Sequence, residues 1–137
     1  MKNRSWIGVD LDGTLAEYHG WEGYEHIGPP VPKMVERILA WIEEGKNVKI
    51  FTARVHLGNT HSDKSRRVIG KWLEKHLGFT LPITCLKDMY MTELWDDRVV
   101  QVVPNTGEQI FESGFQWEPD QDDTPRPAQK RRRRRWM

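Results

Sequence analysis

The stretch Trp6-Ile7-Gly8-Val9-Asp10-Leu11-Asp12-Gly13-Thr14-Leu15 constrains this chain more than any other. It reads as a short buried strand that ends in two carboxylates and a glycine turn. Side chains alternate faces along a strand, so Asp10 and Asp12 point roughly the same way where the strand frays. Gly13 lets the backbone leave the sheet at once, and Thr14 is placed to hydrogen-bond locally and hold the exit. Two carboxylates forced to about 4 Å repel by about 4 kcal/mol at an effective dielectric of about 20. A cation or a proton relieves such a pair, so the motif points to chemistry at the strand end.

Downstream, residues 16–30 lack a clean period and carry Gly20, Gly23, Gly28 and the Pro29-Pro30 pair, which predicts a structured flap. Val31, Met34, Val35, Ile38, Leu39 and Ile42 then recur at helical spacing, with Pro32 suited to the first turn and Gly45 to the stop. A strand over 47–52 ends at Thr52-Ala53-Arg54, and a polar loop follows from Val55 to Ser62. The next helix is expected to begin near Thr60, where Thr60 and Asp63 have capping-box spacing. Val68, Ile69, Trp72, Leu73 and Leu77 form its buried stripe, and Gly78 ends it. Residues 82–86 read as a third strand leading to Lys87-Asp88, residues 92–95 as a fourth leading to Asp96-Asp97-Arg98, and residues 99–103 as a fifth.

Strand, helix, strand, helix, strand is the pattern of an α/β fold: a Rossmann-like parallel sheet flanked by helices. Ligands bind such sheets beyond the carboxyl ends of the strands. Asp10/Asp12, Thr52/Arg54, Lys87 and Asp96/Asp97 all fall at those ends, so all four groups are expected to meet on one edge.

With 137 residues and 37% hydrophobic content, one domain over residues 1–117 is expected. From Glu118 the composition turns to Pro, Asp, Gln and Arg, and residues 118–137 read as a disordered tail. The net charge of +1 hides an asymmetry. Residues 126–137 hold seven basic residues and no acid, which leaves residues 1–125 with 14 Lys and Arg against 20 Asp and Glu, a net −6. The run Lys130 to Arg135 suits a phosphate backbone through counterion release. No apolar run is long enough to span a membrane and no signal peptide is apparent, so a cytoplasmic protein without membrane partners is expected. The single cysteine, Cys85, excludes an internal disulfide.

The order of the motifs resembles the haloacid dehalogenase (HAD) superfamily of aspartate-nucleophile phosphohydrolases. In particular, the chain is similar to small cap-less members encoded by bacterial viruses and to polynucleotide 3′-phosphatases. The resemblance covers residues 5 to about 107. Asp10-Leu11-Asp12-Gly13-Thr14 matches the first signature, Phe51-Thr52-Ala53-Arg54 the second, Lys87 the third and Asp96-Asp97 the fourth. It implies that Asp10 is the nucleophile, forming an aspartyl-phosphate, and that Asp12 is the general acid and base. It further implies Mg²⁺ held by Asp10, the backbone carbonyl of Asp12 and Asp97, with Asp96 behind. Thr52, Ala53, Arg54 and Lys87 would hold the phosphate. Neither the flap nor residues 55–82 leave room for a cap domain. An open site favours a bulky substrate such as a nucleic-acid end, DNA or RNA, or a phosphoprotein, unless a second subunit covers it; a nucleotide phosphatase is the nearest competitor.

His56 and His61 flank a loop near the expected site and are candidates for substrate contact. Tyr18, Trp21 and Tyr24 in the flap have the chemistry to stack a base, although packing the flap down is the simpler use for them. Two other classes compete: a catalytically silent nucleic-acid binder using the tail, and a receiver-like phosphoacceptor. The receiver order places the phosphorylated Asp after an acidic pair, whereas here Asp-x-Asp comes first and Asp-Asp last.

Overall fold

The computed structural model describes residues 3–111. It contains strands β1 (Trp6–Val9), β2 (Asn47–Phe51), β3 (Ile83–Thr84) and β4 (Met91–Trp95), with helices α1 (Pro32–Glu43) and α2 (Ser62–Leu77) between β1 and β2 and between β2 and β3. The sheet order is β3-β2-β1-β4 and every pairing is parallel. The class is therefore α/β, as the alternation of elements predicts. No helix among the described residues is long and apolar enough to cross a membrane.

All four residues of β1 are buried, as a central strand between two neighbours demands. Ile7 and Val9 share one core with Val48 and Ile50 of β2, Met34 and Ile38 of α1, and Ile69 and Leu73 of α2. Both helices thus pack on the same face of the sheet. Successive right-handed crossovers moving the same way along a sheet produce this arrangement. Trp41 and Arg37 of α1 reach the end of β4, with Trp41 5.2 Å from the Trp95 ring and the Arg37 guanidinium 5.1 Å from it.

The return from β3 to β4 carries no helix, so among the described residues no helix covers the opposite face. Trp6 lies there, with the Lys49 ammonium 4.6 Å from its ring and its indole N–H donating to Asp88 at 2.9 Å. A Cβ on Gly8 would stand 3.2 Å from Trp6, 3.2 Å from Leu94 and 3.3 Å from Met91. A larger residue there would make these three side chains shift to stay closed over β1.

Three local expectations are corrected. Residues 99–103 form no strand: they are exposed, and their one bridge joins Val102 to Gln109 in a hairpin ahead of Phe111. Valine spacing suits a strand, but this segment pairs with residues 108–110 just after it rather than with the sheet. Thr60 does not cap α2. His61 occupies the cap position without a side-chain bond, and Asn59 shapes the entry by accepting from the His61 N–H at 3.0 Å. The third strand stops at Thr84 rather than Leu86, because the Thr84 hydroxyl accepts from the Leu86 N–H at 3.0 Å and turns the chain out. Residues 112–137, including the expected tail and its basic run, lie outside the described residues.

Candidate metal and phosphate site

After Val9 the chain makes a tight hydrogen-bonded turn. Leu15 N–H and Ala16 N–H both bond to the Leu11 carbonyl, and Gly13 N–H bonds to the Ala16 carbonyl at 2.8 Å. Gly13 sits at φ +90°, and a Cβ there would press on the Asp97 carboxylate, 2.8 Å from its Cγ. The glycine therefore serves the site as well as the turn. Asp10 N–H donates to the Trp95 carbonyl at 2.9 Å, which locks the first acid beside the end of β4. As a result Asp10, Asp96 and Asp97 each offer a carboxylate oxygen within 4.8 Å of the others. Asp96, expected to stand behind Asp97, joins the cluster on equal terms.

The electrostatics disfavour ionisation of Asp10 and Asp96. Burial pushes the Asp10 carboxyl from 3.8 up to about 9, and the charges of Asp96, Asp97 and Asp12 add to the push. Asp96 is also raised, mainly by burial, while its bond from the Arg98 N–H at 2.7 Å and the Arg98 charge oppose the rise. Asp97 Oδ2 is buried with no hydrogen-bond partner. The Thr14 hydroxyl lies 3.4 Å from both Asp10 Oδ2 and Asp97 Oδ1, near the limit of a hydrogen bond. An orphaned buried oxygen within a set of hard carboxylate donors fits a hard divalent cation such as Mg²⁺.

Asp12 takes no part in the acid cluster through its carboxylate. Arg54 Nε donates to Asp12 Oδ2 at 2.7 Å and Nη2 to Oδ1 at 2.9 Å, a two-pronged pair. The same guanidinium donates to the Tyr24 carbonyl at 3.3 Å and the His26 carbonyl at 2.8 Å. The Trp21 ring lies 4.9 Å from it. Arg54, expected to serve the substrate, is buried and lines the cavity, with four of its five N–H donors committed to Asp12 and the flap.

The flap closes at its base through a bridge between Ala16 and Pro30 and a bond from Glu17 N–H to the Pro29 carbonyl. It is fastened to α2 and the loop before it by Trp72 Nε1 donating to the Gly28 carbonyl at 3.0 Å, by the Lys64–Glu25 ion pair at 2.7 Å, and by Tyr24 stacked on His61. His61 thus buttresses the flap, whereas His56, its Nδ1 2.7 Å from the Ala53 carbonyl, lines the cavity.

A cavity of about 820 Å³ opens beside the acids, lined among others by Asp10, Asp12, Thr52, Ala53, Asp96 and Arg98. Thr52 is buried, and its oxygen accepts from Arg54 N–H at 3.1 Å, which leaves the hydroxyl proton to donate. Lys87 is not brought in. It is exposed, outside the cavity lining and unpaired with Asp10. The early end of β3 accounts for this, since Lys87 now stands three residues beyond the strand rather than one. The sequence reading missed the Asp12–Arg54 pair, whose partners are 42 positions apart, and the cavity roles of Leu57, Asn59 and Leu86. No local signal marks any of these.

Comparison with protein families, characterised proteins and solved structures returns no match for this chain.

Proposed function

We propose that this chain is a Mg²⁺-dependent phosphomonoesterase of the HAD type, acting through an aspartyl-phosphate on a nucleotide or a nucleic-acid end. The observation that carries the reading is the convergence of Asp10 with Asp96 and Asp97 beside an open cavity, with one buried oxygen of Asp97 unpaired. Asp10, Asp96 and Asp97 would hold the ion, which when bound supplies the positive charge that lets a phosphate approach three acids. An Asp10 oxygen forms a bond to phosphorus as the ester P–O bond breaks, and the leaving alcohol takes a proton from Asp12. In the second half Asp12 takes a proton from water, which attacks the aspartyl-phosphate, releases phosphate and restores Asp10. One arm of the Arg54 fork must release an Asp12 oxygen for it to carry the proton, the other arm keeping the carboxyl in place, and Thr52 donates its hydroxyl to a phosphoryl oxygen.

A second reading is supported by the position of Lys87, which as it stands gives Asp10 no counter-charge. In this reading the acids bind a cation without turnover, and the basic tail carries a nucleic-acid-binding role. Phosphate release from monoesters with and without Mg²⁺, in the native chain and in Asp10→Asn, separates the two. Metal-dependent release abolished by the substitution supports the phosphatase. No release from any ester, together with tail-dependent nucleic-acid binding, supports the silent binder.

A further inference from the structure

The cavity beside the acids is far larger than a phosphoryl group and an ion require. Its volume, about 820 Å³, is that of a site for a whole small molecule. Two of its lining residues, Leu57 in the loop after β2 and Leu86 in the loop after β3, are 78% and 57% exposed. Large apolar side chains held in water at a cavity rim are a surface for a ligand to cover.

The flap supplies rings to the same cavity. Tyr24 stacks on His61 with centroids 4.2 Å apart and planes 11° from parallel. Trp21 has the Arg54 guanidinium 4.9 Å from its ring and stands edge-on to Tyr24 at 4.8 Å. Tyr24 gives a face to His61 and Trp21 a face to the Arg54 guanidinium, their T-shaped contact takes a second face of one of them, and both rings line the cavity. Rings fixed in advance lose little freedom when a flat ligand stacks on them. Asn59 is the lining residue best suited to reading a base edge, but three of its four hydrogen-bonding positions are taken, which leaves one amide N–H. Nδ2 donates to the Arg54 carbonyl at 2.8 Å, and Oδ1 accepts from His61 N–H at 3.0 Å and from the Tyr24 hydroxyl at 3.4 Å.

We propose that the apolar, ring-lined end of this cavity binds a nucleobase by stacking and shape, with little preference among bases. The phosphate turned over at Asp10 then belongs to a nucleotide whose base lies one sugar away. The phosphate end rests on the phosphomonoesterase reading; the base end rests on the cavity lining alone. A free mononucleotide and the terminal nucleotide of a strand share this chemistry.

Steady-state rates with Mg²⁺ on the four mononucleotides, on 3′- and 5′-phosphorylated oligonucleotides and on glycerol 2-phosphate test it. The expected result is a kcat/KM at least about tenfold higher for mononucleotides or oligonucleotide ends than for glycerol 2-phosphate, nearly level across bases. Trp21→Leu and Leu57→Ser should each narrow that ratio, the tryptophan change by about tenfold, chiefly through KM. Leu57→Ser alters an exposed position, so it keeps the test open if Trp21→Leu fails to fold. A nucleoside without phosphate should inhibit glycerol 2-phosphate hydrolysis competitively, and ribose should not. Which of mononucleotide and oligonucleotide is favoured identifies the source of the base. Equal kcat/KM for glycerol 2-phosphate and nucleotides overturns the base site and leaves the phosphatase standing. If no ester is cleaved but a mononucleotide quenches tryptophan fluorescence, and Trp21→Leu removes the quench, the base site stands and the phosphatase reading falls.

Discussion

Replacing Asp10 by asparagine should make the metal-free protein more stable while abolishing turnover. Buried among Asp96, Asp97 and Asp12, the Asp10 carboxyl has its pKa raised from 3.8 to about 9. A carboxyl raised on folding holds its proton in the native state and releases it in the unfolded one. Its stabilising share is therefore complete below the unfolded value and is lost as pH rises toward the folded one. At pH 7 the native state keeps a proton that the unfolded chain has given up, a span of about three pH units, or about 4 kcal/mol at 1.36 kcal/mol per unit. Asparagine has nearly the same shape and no proton to hold. The gap between variant and native chain should be near zero at pH 4 and approach about 4 kcal/mol at pH 7, with Asp96 adding slope common to both. Urea denaturation in chelator across pH 4–8 reads it, and with a slope of about 2 kcal/mol per M the pH 7 midpoint should differ by about 2 M. Millimolar Mg²⁺ should raise the native midpoint most at high pH and the variant little. A variant less stable at every pH, or a gap that does not widen as pH rises, would refute the reasoning.

Other changes have equally definite outcomes. Arg54→Met leaves Asp12 and the Tyr24 and His26 carbonyls without their donor and should cost about 3–5 kcal/mol by chemical denaturation. Arg54→Lys, which keeps the charge but not the fork, should lower kcat about tenfold or more and raise amide exchange in the flap. Gly13→Ala forces a Cβ against Asp97 at φ +90°, and Mg²⁺-induced stabilisation should disappear on thermal melting even if the fold survives. Trp72→Phe removes the bond to the Gly28 carbonyl, costing about 1 kcal/mol and speeding exchange in residues 16–30 more than in the sheet. Deleting residues 126–137 should raise KM for oligonucleotides at low salt and leave p-nitrophenyl phosphate turnover unchanged; equal effects on both would count against tail-assisted binding.

Much of the fold was legible because its signals are local. The apolar run of β1, the helical stripes of α1 and α2, and the glycine stops place those elements within two residues of their observed bounds. The acid cluster was legible for a related reason: once the strands are parallel, their carboxyl ends share an edge, so Asp10 and Asp96-Asp97 had to approach one another. What escaped depends on the length of an element or on a partner far along the chain. β3 ends two residues early on a threonine turn, which carries Lys87 away from Asp10. Valines at 99–103 have strand chemistry but pair with the residues that follow rather than with the sheet. Arg54 was placed at the right edge, yet only the folded flap shows that Asp12 and two carbonyls use its donors.

The helix-free return between β3 and β4 has a further consequence. Among the described residues β4 is an edge strand, hydrogen-bonded to β1 on one side only, and it carries two of the three clustered acids just past its end. Once Asp10 loses its proton and no cation replaces it, mutual repulsion works to peel that margin from the sheet, beginning where Trp95 receives the Asp10 amide. Whatever cation settles among the acids therefore also acts as a rivet, so that occupancy of the site and the fastening of this outer strand rise and fall together.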